Sequence, residues 1–177
     1  MKLFLSGLIG GIILFLWSNI SWMVLPWHGA TLQGFSNEKI VVSALLESSS
    51  NSGVYVLPDL RKGKGDCCKY KGPSALIVWN RDGGKNMNSK MLLAFLGNIL
   101  NALLAAWLLS ISNIVSFNKR MLFITALGVF SALAVTLPNM IWWGFSNEFT
   151  TVCVADLIIG SALAGAAISK IMEEKKA

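Results

Sequence analysis

Charge is scarce in this chain. Only 14% of its 177 residues are Asp, Glu, Lys or Arg, where a soluble domain carries about 25%. That shortage, set beside 54% apolar residues, excludes a soluble globular body. It also excludes a disordered chain, which has too little apolar surface to fold. Histidine occurs once, as His28, and cysteine three times, as Cys67, Cys68 and Cys153, with no Cys-x-x-Cys. A thiol-redox enzyme therefore lacks its motif. His-Glu-x-x-His, Gly-x-Ser-x-Gly, the phosphate-binding Walker loop and the dinucleotide glycine fingerprint are absent as well. The net charge of +6 is spread along the chain, so no nucleic-acid partner is predicted.

What remains is hydrophobic length. A helix needs about 20 apolar residues to cross a bilayer core of about 30 Å. Four runs meet this: 1–25, counted from Leu3, then 91–111, 121–143 and 151–171. The first three carry no interior charge, and the fourth holds Asp156 and, near its end, Lys170. The first run is longer than a signal-peptide core and lacks a small-x-small cleavage site. It ends in Trp22, Trp27 and His28, read as interfacial anchors. Backbone groups in lipid must bond within their own segment, so the spans are helices. Short connections make sequential helices antiparallel neighbours. The expected fold is a membrane all-α protein, a four-helix transmembrane bundle with a small α+β extracytoplasmic domain between helices 1 and 2.

Orientation comes from the short loops. Lys119 and Arg120 lie between spans two and three, on the side of Lys2, Lys175 and Lys176, while the loop with Glu148 has no Lys or Arg. Both termini, with the 172–177 tail, are therefore expected in the cytoplasm of a bacterial-type inner membrane. Residues 26–90 then form the outer domain. Within it a helix is expected over 37–47, capped by Ser36. Strands are expected at 53–57 (GVYVL) and 74–79 (SALIVW), from their β-branched and aromatic content. The pentapeptide Gly34–Glu38, GFSNE, recurs as Gly144–Glu148. Each copy suits a helix start, with an acid at the positive end of the dipole.

Polar residues within the spans are the chemical candidates. Asn19, Asn98 and Asp156 lie about 10 Å below the outer surface at about 1.5 Å per residue, with Ser131 at similar depth. Asn98 and Asn101 are three apart on one helix face. An ionisable group in lipid should turn inward and find a partner, so Asp156 is expected to face Asn98 or Asn19. Asn19, Asn98, Asn101 and Asp156, with His28, make a ligand-binding hypothesis. The bland alternative is interhelical hydrogen bonding. His28 has no second histidine or carboxylate cluster, so no metal site and no cofactor are expected. Cys67 or Cys68 could bridge Cys153, since adjacent cysteines seldom bridge each other. Arg61, Lys62, Lys64, Lys69 and Lys71 form a basic loop that could touch lipid headgroups or an acidic partner. Gly160/Ala164 and Ser161/Gly165 give the fourth span two small-xxx-small pairs, a packing face.

One span, a long loop and three further spans is a layout similar to that of claudins and of four-span membrane disulfide oxidases. The claudin outer-loop signature and the oxidases' paired redox cysteines are absent, so layout alone implies no activity. Three functions are expected in order. The first is a non-enzymatic structural, assembly or accessory subunit that offers its outer domain to a protein partner. The second is binding or transport of a small ligand, ion or lipid headgroup at the polar layer. The third is a membrane enzyme, which would need His28 turned to a cleft with a carboxylate in reach.

Overall fold

The computed structural model describes residues 1–59, 71–83 and 85–173. The chain divides into two compact units: residues 1–32 with 87–177, and residues 33–86. The first unit holds α1 (Lys2–Asn19), a π-helical continuation (Ile20–Val24), the short α2 (Trp27–Ala30), α4 (Met87–Ile111), α5 (Phe117–Trp143) and α6 (Asn147–Ile171). The second holds α3 (Glu38–Ser48) and an antiparallel pair, β1 (Gly53–Leu57) and β2 (Ala75–Trp79).

Four helices are long and apolar enough to cross a membrane: Lys2–Val24, α4, α5 and α6. Their faces are sorted by size. Buried positions are mostly small, such as Ser6, Gly7, Gly10 and Gly11 on α1 and Gly160, Ala164 and Gly165 on α6. Large residues such as Leu93, Leu100, Phe130 and Trp142 are exposed. Helices that pack through small residues and present large ones outward suit lipid, where close backbone approach replaces hydrophobic collapse.

The packing order is α4–α1–α6–α5. Gly11 sets the α1–α4 approach, because an added Cβ would stand 2.5 Å from the Ile99 Cα. Gly128 on α5 receives the Ser161 side chain of α6, and Gly165 lies against Ile124. The α6 small pairs thus form a packing face. The neighbour rule fails at one place. Helices α4 and α5 are sequential but scarcely touch. Glycines draw α4 onto α1, and small residues draw α5 onto α6, which leaves a gap between them. At one end of this unit Lys2 Nζ donates to the Glu173 carbonyl at 3.1 Å, and Arg120 Nη1 to that of Met172 at 2.7 Å. These cations meet the negative end of α6. Bonding to the Lys170 ammonium, and that cation's charge, hold the Glu173 carboxyl below its ordinary value.

The first span changes its winding where it becomes polar. Ser18 Oγ and Asn19 Nδ2 both donate to the Phe15 carbonyl, at 2.9 and 2.7 Å. Such back-bonding competes with the helical ladder, and the wider π turn follows at Ile20. The Leu25 N–H bonds the Ile20 carbonyl, and Pro26 opens α2.

The two GFSNE copies begin helices in different ways. In the second, Gly144 closes α5 with a φ of 73°, and Ser146 caps α6 by accepting from the Phe149 N–H at 3.1 Å. Phe145 and Phe149 pack edge to face across that cap, with centroids 5.6 Å apart. In the first copy Asn37, not Ser36, accepts from the Ile40 N–H, and the helix runs Glu38–Ser48. Lys39 stands where the second copy has Phe149, and Phe35 is exposed. Without the aromatic pair the cap moves one residue along. Ser146→Ala should therefore cost about 1 kcal/mol of stability. Asn37→Ala should speed amide exchange at the start of α3, whereas Ser36→Ala should leave that exchange unchanged.

The strands match the GVYVL and ALIVW runs, paired Gly53↔Trp79 through Leu57↔Ala75. Arg81 ties this unit together: its Nη1 donates to the Ser49 carbonyl at 2.6 Å, and its N–H to Ser52 Oγ at 3.0 Å.

Candidate functional site

The π turn and α2 gather Ser21, Trp22, Trp27 and His28 of one short stretch, and His28 meets α6 at Asp156. His28 is 1% exposed. Its Nε2 lies 3.1 Å from Ser21 Oγ and 3.4 Å from Asp156 Oδ2. The Trp22 ring stacks on the imidazole, with centroids 3.8 Å apart and planes 10° apart, and Trp27 meets it edge-on at 5.7 Å. Trp27 Nε1 donates to the Ser21 carbonyl and Oγ, both at 3.0 Å. Trp17 Nε1 donates to the Asp156 carbonyl at 3.1 Å, which locks α1 to α6. His28 is thus buried beside Asp156. A nitrogen that faces a carboxylate carries the hydrogen, so Nε2 is assigned as N–H and Nδ1 as the bare acceptor.

Ser, His and Asp meet here without the wiring of a catalytic triad. In a triad the carboxylate holds Nδ1 and the hydroxyl faces Nε2. Here both converge on Nε2, and Ser21 is fully buried. The cleft and nearby carboxylate asked of an enzyme are present, but the hydroxyl has no access to a substrate.

Two cavities adjoin Asp156. One, of about 370 Å³, fills the gap between α4 and α5 and is lined by Asn98, Asn101, Ser131, Ser161 and Asp156, with apolar walls that include Leu104 and Leu108. The other, of about 260 Å³, is lined by His28, Asp156, Thr150 and Cys153, with Trp22, Phe145 and Phe149 as aromatic walls. Among the described residues, His28 Nδ1, Asp156 Oδ1 and Thr150 Oγ1 are buried without a hydrogen-bond partner. Buried polar atoms nearly always have partners.

The structure gathers Asn98, Asn101 and Asp156 around one cavity and His28 with Asp156 around the other. The expected first partner of Asp156 was an asparagine, and the observed one is His28. Asn98 instead donates to the Ala94 carbonyl at 2.9 Å, and Asn19 bonds Phe15 away from both cavities. An asparagine can satisfy its amide on its own helix, whereas a carboxylate cannot bond a carbonyl and must look elsewhere. Ser21, Thr150, Phe145 and Phe149 escaped the sequence reading. The legible signal was a Trp every five residues at Trp17, Trp22 and Trp27, a spacing suited to a π turn. Cys67, Cys68, Arg61, Lys62, Lys64 and Lys69 lie outside the described residues, and with them the Cys153 bridge; Lys71 is described and exposed. No three His, Cys, Asp or Glu gather closely enough for a metal among the described residues. No family model, curated protein or solved structure matches this chain.

Proposed function

We propose that the chain is a polytopic membrane protein that binds or transports a small polar or amphiphilic ligand at Asp156. The carrying observation is that Asp156 lines both cavities, with one carboxylate oxygen beside His28 and the other buried without a partner. A buried carboxylate in an apolar setting is expensive and marks function by default. The larger cavity joins a polar end to leucine walls, which suits an amphiphile.

In this reading the helices form a transmembrane bundle in a bacterial-type inner membrane. Lys2, Arg120 and Lys170 mark the cytoplasmic end, and residues 26–90 face the periplasm. Asp156 then lies in the outer leaflet. A second reading, an accessory subunit that presents residues 33–86 to a protein partner, draws on apolar side chains exposed there. Val54 and Val78 are cross-strand partners, 68% and 77% exposed.

The test is purification in mild detergent, then mass spectrometry of bound small molecules. Wild type should carry a ligand that Asp156→Asn loses while keeping its elution volume and helical circular dichroism. An unchanged ligand set in the variant, or an empty wild type, overturns the proposal.

A further inference from the structure

The geometry points to a primary ammonium group, R–NH3⁺, as the ligand of the smaller cavity. This inference rests on the binding proposed at Asp156 and names its chemistry.

Charge comes first. The lining of this cavity contains no Lys or Arg among the described residues, and its formal anion is Asp156. Asp156 is therefore the charged side chain that this lining offers a ligand. An anionic ligand would meet repulsion and find no fixed cation. Three metal-donor side chains line the cavity, His28, Asp156 and Cys153, but among the described residues no three such groups gather closely enough to hold a divalent metal.

Hydrogen bonding comes next. Each of the three unpartnered atoms can accept a hydrogen bond: the imidazole nitrogen in the assigned tautomer, a carboxylate oxygen, and a hydroxyl oxygen that can also donate. His28 and Thr150 are 1% and 6% exposed, so water does not serve them freely. An ammonium group carries three donors and no acceptor, the complement of this set. Trp22, Phe145 and Phe149 also line the cavity, and the face of an aromatic ring attracts a cation. Aromatic walls alone would also accept a quaternary ammonium. The unpartnered acceptors favour the one that bears N–H.

The same ammonium could arrive free in solution or as the headgroup of an aminophospholipid. Full-length protein in phosphatidylcholine nanodiscs is titrated by calorimetry with ethanolamine, with choline and with neutral ethylene glycol. Ethanolamine should bind saturably and at least tenfold tighter than choline, with no heat from the glycol. Asp156→Asn should weaken ethanolamine at least tenfold. Thr150→Ala, which removes one acceptor and no charge, should weaken it several-fold without change in the thermal melt. Native mass spectrometry with phosphatidylethanolamine and phosphatidylcholine of matched chains separates the sources. Selective retention of the ethanolamine lipid identifies a headgroup, and equal retention beside tight ethanolamine binding identifies a soluble amine. Equal affinity for choline, no saturable binding of ethanolamine or its lipid, or indifference to Asp156→Asn would each overturn the ammonium assignment. If ethanolamine fails while Asp156→Asn still strips a co-purified ligand, the site stands and only its amine chemistry falls.

Discussion

His28→Ala lowers the unfolding free energy by about 3 kcal/mol, the upper part of the range for leaving a buried acceptor without its partner. Three losses coincide. Asp156 Oδ2 loses the N–H that faces it at 3.4 Å. Ser21 Oγ loses a neighbour at 3.1 Å. Trp22 loses the ring on which it stacks. A conservative change on the other side, Asp156→Asn, keeps the volume and removes the charge, so it costs less, about 1–2 kcal/mol. The double variant should be less damaged than the sum of the two, with a coupling of at least about 1 kcal/mol, because the stranded carboxylate is gone. Reversible unfolding in mixed detergent micelles reads all four corners of the cycle. Additive effects would mean that His28 acts through packing and not through Asp156.

The second large effect lies at the α1–α4 contact. Gly11→Leu costs about 3 kcal/mol, the upper part of the usual range for overpacking. The close atom at Gly11 is backbone, the Ile99 Cα at 2.5 Å, so no rotamer change relieves the clash and α4 must move. Gly97, also on α4, has no atom within 4 Å of an added Cβ. Gly97→Ala should therefore be neutral or stabilise by about 0.5–1 kcal/mol, as alanine does in a helix. The same unfolding assay separates the two. Equal effects at the two glycines would contradict the packing order.

Gly7, Gly10 and Gly11 show how far the sequence could be read. They lie in an apolar run, yet no local pattern says which helix they meet. The small pairs of α6 were legible as a packing face because spacing by four places residues on one side of a helix. The caps were legible as a class and misplaced by one residue at Ser36, since Ser and Asn are near-equals at that position. In the second copy Phe145 packs on Phe149 across the cap, and in the first copy Lys39 stands in the place of that second aromatic.

Sequence alone determined the four apolar helices, the strand pair and the lone carboxylate within the fourth span. Each of these is local: run length, alternation of residue type, and a charge where charge is costly. Only the tertiary structure decided that Asp156 meets His28, that α4 and α5 stand apart, and that a cavity fills the gap. Those outcomes depend on residues far apart in the chain. A π turn at Ile20–Val24 and glycines on α1 set distances that no local pattern encodes.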